Sequence, residues 1–238
     1  MERLVVGKRE RPVDGIFLEH YFRYRFAQKW VNGATVLDCA CGTGYGAYIL
    51  SRKCKEVVGV DRSTEALEMA AVHWASPNIR YVALNIDDLD ALQKRFDVIV
   101  SFETIEHLGD PVGFIHRAYD RLNEHGCLIV STPNKDVYRD GLEPNPFHVH
   151  EFSRLEFLDL LSSRFMRIDV FAQVAAARNG SPKSLLPSSS KFRTALVKMF
   201  VRNSLGYSLY LRRMKKRFSV VPEAAYENYQ YLVAVCRK

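Results

Sequence analysis

The chain has 238 residues, with 34 Lys and Arg against 27 Asp and Glu, a net charge of +7. Its 47% hydrophobic and 26% charged residues are globular values that exclude a disordered chain. No run reaches ~18 consecutive apolar residues, so no membrane-spanning helix is expected.

The charge is unevenly placed. Between Asp169 and Glu223 there is no acid, while Arg178, Lys183, Lys191, Arg193, Lys198, Arg202, Arg212, Arg213, Lys215, Lys216 and Arg217 supply eleven positive charges. The remainder holds 23 basic and 27 acidic residues, so a basic segment is joined to a mildly acidic body. Five cysteines, odd in number and mostly in apolar surroundings, read as free thiols of a reducing cytoplasm. Cys39 and Cys41 have no second pair to complete a structural zinc site. The first eleven residues lack the apolar core of a signal peptide.

In chain order, an amphipathic helix is expected over 16–30, then strands at 34–39, 56–60, 79–84, 97–101 and 127–131. Helices at 45–53, 63–73, 88–94 and 111–123 alternate with them. A Pro/Asn-rich loop (132–150), a helix (154–163), a strand (166–175), the basic segment and a last strand (227–237) follow. This alternation predicts one α/β domain over 1–238: a Rossmann-like, mostly parallel seven-stranded sheet, helices on both faces and an antiparallel last strand. Its parts are an N-terminal helical lid (1–32), a core (33–175), a basic helical insert (176–222) and the final strand (223–238). Ligands of such sheets collect at the C-terminal strand ends.

The first strand runs into Asp38-Cys39-Ala40-Cys41-Gly42-Thr43-Gly44-Tyr45, where glycines permit a sharp turn and close backbone approach to a ligand. The second ends at Asp61, nineteen residues after Gly42, where an acid can accept from ribose hydroxyls. Gly42-x-Gly44-x-x-Ala47 also fits a dinucleotide fingerprint, but Asp38 four residues earlier would oppose a pyrophosphate and suits a cationic ligand instead. The Asp-x-x-x-Gly-x-Gly loop followed by Asp61 resembles motif I and the ribose-binding acid of class I S-adenosylmethionine-dependent methyltransferases, over roughly 18–171 and the last strand. The resemblance implies that Asp38 and backbone at Ala40, Gly42 and Gly44 hold the methionine part. Asp61 would hold the ribose, with Arg62 flanking the adenine. Asn85 and Ile86 stand where this family often has an adenine-binding Asp, with Asp87 and Asp88 as rivals. Ser101 and Phe102, ending the fourth strand, border the cofactor. Relatives use an N-terminal helix as a lid, which assigns Arg23 or Tyr24 to the cofactor carboxylate; a solvated helix face would explain the same residues.

Past the fourth strand, Glu103, Glu106 and His107 stand at i, i+3 and i+4, one face of a helical turn beside the expected methyl group. Acid–base catalysis by His107 with a carboxylate, Glu106, orienting it is one reading. The loop Asn145-Pro146-Phe147-His148-Val149-His150 adds His148 and His150 as further catalytic candidates. The constellation is similar to metal-dependent 2′-O-methyltransferases of small-RNA ends and to ubiquinone-pathway O-methyltransferases. That similarity implies Mg²⁺, Mn²⁺ or Zn²⁺ held by Glu103, Glu106, His107 and His150, with His148 the alternate. A purely structural Glu/His cluster is the third reading.

In the basic segment, Phe192, Leu196, Met199 and Phe200, and then Tyr207, Tyr210, Leu211, Met214 and Phe218, lie at helical spacing, with Gly206 read as the break. These two helices would present Lys191 to Arg217 to solvent, to an anionic membrane surface, to a phosphate-bearing acceptor or to RNA. No recognisable RNA module accompanies them, which makes RNA the weaker partner. With the Asn-Pro-Phe-His-Val-His-Glu-Phe loop, the insert resembles methyltransferases of bacterial surface-polysaccharide synthesis. The expectation is a cytoplasmic O-methyltransferase, with a peripheral foothold on the inner membrane face, that methylates a sugar hydroxyl of a glycan, glycolipid or nucleotide-sugar precursor. Its rivals are an RNA 3′-terminal ribose methyltransferase, an NAD-dependent oxidoreductase and a non-catalytic cofactor-binding interaction protein.

Overall fold

A computed structural model describes residues 15–138, 145–173, 204–223 and 229–238. Strands β1 (Thr35–Cys39), β2 (Glu56–Asp61), β3 (Ile79–Ala83), β4 (Phe96–Phe102), β5 (Leu122–Pro133), β6 (Arg167–Gln173), β7 (Val221–Pro222) and β8 (Tyr231–Arg237) form one sheet. Its order is β3-β2-β1-β4-β5-β8-β6-β7. Strands β3 to β5 pair in parallel, whereas β8 runs antiparallel to both β5 and β6. The expected seven strands are present. The eighth is a two-residue edge strand, β7, that pairs with Phe171 and Ala172. It was illegible because two residues carry no periodicity.

Helices α1 (Gly15–Ala27), α2 (Tyr45–Ser51), α3 (Thr64–His73), α4 (Pro111–Arg121), α5 (Lys135–Tyr138), α6 (Arg154–Ser162) and α7 (Ser204–Phe218) complete the described fold. Their starts are written locally. Ser63 accepts from the Ala66 amide, Asp110 from the Gly113 amide ahead of Pro111, and Ser153 and Glu156 form a reciprocal capping box. The segment expected as a helix over 88–94 is instead a 3-10 turn, Ile86–Ala91, capped by Asn85. Gly206 does not break a helix but lies in the first turn of α7. The first of the two expected basic helices, and most of the insert, lie outside the described residues. No described helix is long and apolar enough to cross a membrane.

The central strands are apolar on both faces, as burial on both sides requires. Leu37, Val58, Ile99 and Leu128 face a core shared with Phe114 of α4 and Phe157 and Leu161 of α6. Their neighbours Val36, Val57, Val98 and Ile129 face the other core, with Phe22 and Phe26 of α1, Leu50 of α2 and Met214 and Phe218 of α7. Each such side chain stabilises the fold by about 1.5–3 kcal/mol. The chain leaves β1 for β2 and β3 on one side, and β4 and β5 lie on the other. Between β1 and β4 the crossovers diverge and open a crevice at the strand ends.

Candidate active site

That crevice is a pocket of about 300 Å³, within the range of small-molecule sites. Its floor is the β1–α2 loop, from Ala40 to Thr43, with Tyr45. Asp61, Arg62, Asn85 and Ile86 form one end. Phe102, Glu103, Thr104, His107, Leu108 and Phe147 form the other, and His20 and Tyr24 of α1 form a wall.

The loop adopts left-handed backbone at Ala40 (φ 56°), Gly42 (φ 54°) and Gly44 (φ 84°). A Cβ on Gly42 would meet nothing within 4 Å, so its missing side chain opens pocket space. Gly44 differs. A Cβ there would stand 2.5 Å from the Tyr81 hydroxyl and 2.6 Å from Ala70 Cβ. It seats α2 on β3 and α3 and does not line the pocket. Asp61 is fixed by two backbone amides, Gly42 on Oδ2 and Ser63 on Oδ1, both 2.9 Å. Asn85 lines the pocket while its Oδ1 accepts from the Asp87 amide at 3.3 Å. Of its rivals, Asp87 pairs with Arg117 at 3.1 Å, and neither it nor Asp88 reaches the lining.

Asp38 lies beneath this floor, fully buried and outside the lining. Its Oδ1 accepts from the Tyr24 hydroxyl at 3.1 Å, and its Oδ2 has no hydrogen-bond partner. Burial pushes its carboxyl up to about 7; the Tyr24 bond opposes this, and the Asp61 charge adds to it. An orphaned carboxylate oxygen beside an open glycine floor, with an acid at the second strand end, fits a cofactor carrying an ammonium, a sulfonium and a ribose.

Arg23 is placed differently from expectation. It is fully buried and outside the lining, with Nη1 donating to Gln173 Oε1 at 2.7 Å, 3.9 Å from Glu103 Oε1, and its guanidinium over the Tyr231 ring at 4.5 Å. Burial disfavours its charge, but Glu103, Tyr231 and Glu19 outweigh that and raise its pKa. The helix explains the exchange: residues 20 and 24, one turn apart, share the pocket side, and residue 23 turns toward β6 and β8. His20 belongs to the pocket instead. Burial, then the Arg23 charge, holds it well below its ordinary pKa and so neutral. Ser101 is also buried beneath the lining.

On the acceptor side, Glu103 has a left-handed backbone, φ 51°, an unusual conformation for a non-glycine residue at a pocket wall. Its amide donates to Ser131 Oγ at 3.2 Å, and that hydroxyl donates back to Glu103 Oε1 at 2.7 Å. His107 Nδ1 lies 2.7 Å from the Phe147 carbonyl. A carbonyl only accepts, so Nδ1 carries the proton and the ring's lone pair is on Nε2.

Glu106 does not meet the pocket. It is buried, accepts from Thr132 Oγ1 at 3.3 Å, and its carbonyl accepts from the Val149 and His150 amides at 2.9 and 3.1 Å. Burial, reinforced by the Glu103 charge, raises its pKa well above the carboxylate range. The Glu106 main-chain carbonyl thus anchors the 145–152 loop, while its carboxyl, whose charge burial disfavours, turns to Thr132 and away from the pocket. His148 packs edge-on against His107 with ring centroids 5.0 Å apart, its Nδ1 donating to Glu151 Oε1 and its Nε2 accepting from Asn145, both at 3.2 Å. It buttresses the site from outside the lining, and His150 is exposed, its ring tilted against Phe152 at 4.4 Å.

The expected metal set is corrected accordingly. Among the described residues Glu106, His107 and His148 bring ligand atoms within 4.8 Å of one another. Glu103 is drawn off to Ser131, and His150 points away. As they stand the three do not offer a complete set for a resident ion, since both His148 nitrogens are taken up by Asn145 and Glu151. Cys41, Thr43, Tyr45, Thr104, Leu108 and Phe147 also line the pocket without having been singled out as site residues. Phe147 lay in the loop suspected for its histidines, but nothing in the spacing showed that its carbonyl would fix His107.

A doubly wound sheet with a glycine-lined floor, a buried acid below it and a second acid at the next strand end defines a site for a nucleoside-bearing cofactor. A methyltransferase domain family model matches residues 18–173. A probable S-adenosylmethionine-dependent methyltransferase of Mycolicibacterium smegmatis is 30% identical over 168 residues, covering 67% of this chain and 65% of that protein. A ubiquinone biosynthesis O-methyltransferase of Azorhizobium caulinodans is 30% identical over 127 residues, covering 52% of this chain and 50% of that one. The chain thus spans about half to two thirds of the length of the curated relatives it matches. A solved Thermotoga maritima structure, described as a possible histamine N-methyltransferase, aligns with a TM-score of 0.61 over 93% of this chain and 92% of that one. At 19% identity it speaks for the fold alone. The chain belongs to the methyltransferase domain family, of the S-adenosylmethionine-dependent kind, and that decides between the two fingerprints that the glycine loop allowed.

Proposed function

We propose that the chain methylates a hydroxyl, with His107 as the base. The observation that carries this is the Phe147 carbonyl on His107 Nδ1, which fixes the tautomer with its basic nitrogen on the other side of a ring that lines the pocket. S-adenosylmethionine supplies a methyl group already activated on a sulfonium, so the protein's share is placement and removal of one proton. Asp61 and Asn85 would hold the nucleoside end and Asp38 the amino-acid end. Glu103 and Thr104 offer hydrogen bonds to the acceptor, and His107 Nε2 takes the proton from its reacting hydroxyl.

A sugar ring suits this wall, because its apolar face can rest on Phe147 and Leu108 while its hydroxyls meet Glu103 and Thr104. The O-methyltransferase name of the Azorhizobium relative supports oxygen as the acceptor atom. The test is a methyl-transfer screen over nucleotide sugars, glycolipids and RNA oligonucleotides, run with EDTA and with added divalent ions. Activity on a sugar hydroxyl, insensitive to EDTA and reduced at least 100-fold by His107→Ala, is expected. Full turnover by that variant on the true acceptor sinks the base assignment, and loss with EDTA restores the metal reading.

A further observation bears on where the acceptor resides. Helix α7 buries Met214 and Phe218 against α1, with Phe218 stacked on Phe22 at 6.3 Å, and turns the half-exposed Leu209 with Arg212 and Lys215 outward. Neither basic side chain forms an ion pair with the described residues. A cationic face one helix removed from the pocket wall supports peripheral attachment to an anionic membrane carrying a glycolipid acceptor.

A further inference from the structure

Tyr24 stands between Asp38 and the pocket. Its ring is in the lining and Asp38 is not, although the Tyr24 hydroxyl donates to Asp38 Oδ1 at 3.1 Å. The ring is gripped edge-on by Phe102 at 5.0 Å and by Tyr45 at 5.8 Å. It also fills the space that Gly46 leaves: a Cβ there would stand 2.0 Å from Tyr24 Cζ. Beneath it, Asp38 Oδ2 is buried with no hydrogen-bond partner.

A buried carboxylate with one neutral donor and one empty oxygen is a poor resting arrangement and a good receptor for a cation. We propose that Tyr24 is a specificity-determining gate at the amino-acid end of the pocket: its side chain, held by the bond to Asp38 Oδ1, stands between the pocket and the unpartnered Oδ2, and it yields only to ligands that carry an ammonium for that carboxylate. The proposal rests on the S-adenosylmethionine reading and adds to it that the amino-acid end is occupied by the protein's own phenol before the ligand binds. Two facts support the exchange. Burial and the Asp38 charge hold the Tyr24 hydroxyl protonated, hence a donor, and burial pushes Asp38 up to about 7, so the carboxyl is poised to ionise when a cation arrives.

The test compares two probes that share the adenosine and the thioether. S-adenosylhomocysteine carries the ammonium and 5′-methylthioadenosine does not. Titration calorimetry on the full chain is expected to show Tyr24→Phe binding S-adenosylhomocysteine about fivefold more tightly than wild type, with methylthioadenosine unchanged, because only the first must break the phenol–Asp38 bond. Gly46→Ala, whose methyl would meet the ring carbon that bears the hydroxyl, is expected to raise the same affinity ratio and serves if the first variant folds poorly. Equal shifts for both probes, or weaker S-adenosylhomocysteine binding in Tyr24→Phe, would overturn the gate. Wild-type protein that binds neither probe would overturn the cofactor reading itself, whereas binding with a ratio unmoved by both variants rejects the gate alone.

Discussion

Replacing Asp38 by Asn should make the ligand-free protein more stable at pH 8 while destroying its cofactor site. The Asp38 carboxyl, ordinarily near 3.8, is pushed up to about 7 by burial. The folded chain therefore keeps a proton that the unfolded chain loses between about pH 4 and 7, and wild-type stability falls as pH rises through that window. Roughly three pH units at about 1.36 kcal/mol each put the full cost of charging Asp38 near ~4 kcal/mol at pH 8, as an order of magnitude. Asn keeps the oxygen that accepts from Tyr24, but sets an amide where Oδ2 now has no partner, at a cost of about 1–3 kcal/mol. The net gain is about 1–3 kcal/mol, which in a chain of this size moves the melting temperature by roughly 2–4 °C per kcal/mol. Thermal unfolding of both proteins from pH 4.5 to 8.5 without ligand checks this. The difference should grow with pH, and S-adenosylhomocysteine should protect only the wild type. A difference that is flat across the range, or largest at the acid end, refutes the assignment of a strained buried carboxylate.

The two loop glycines should separate by assay. Gly44→Ala places a methyl 2.5 Å from the Tyr81 hydroxyl at φ 84° and should cost about 2–4 kcal/mol in urea unfolding, by overpacking and backbone strain. Gly42→Ala, with open space at φ 54°, should cost about 1–2 kcal/mol but weaken S-adenosylhomocysteine binding at least tenfold, because the new methyl enters the pocket. Equal stability losses with unaltered binding would contradict that division of labour. If α7 meets a membrane, flotation on phosphatidylglycerol-containing vesicles should exceed that on phosphatidylcholine and fall about fivefold for each charge neutralised at Arg212 and Lys215. Binding indifferent to lipid charge would dispose of that role.

The strand–helix order, the crevice side of the sheet and the Asp38-to-Gly44 and Asp61 signatures were legible along the chain, because each is written within a few residues of one strand end. Helix starts were equally local, since Ser63, Asp110 and Ser153 cap their own turns. The division of roles within that frame was not. Arg23 and Tyr24 are neighbours, and only the packing of α1 on β6 and β8 sends one toward Gln173 and the other over Asp38. Glu106 and His107 read as one catalytic pair until burial separates them, leaving the first a buried anchor of the 145–152 loop and the second a ring turned by a carbonyl forty residues away. The sequence determined which chemistry the strand ends can host, since backbone turns and acids at fixed spacing are local. Only the tertiary structure decided which side chains are desolvated, which face the pocket and which proton each one holds, because those follow from contacts between segments distant in the chain.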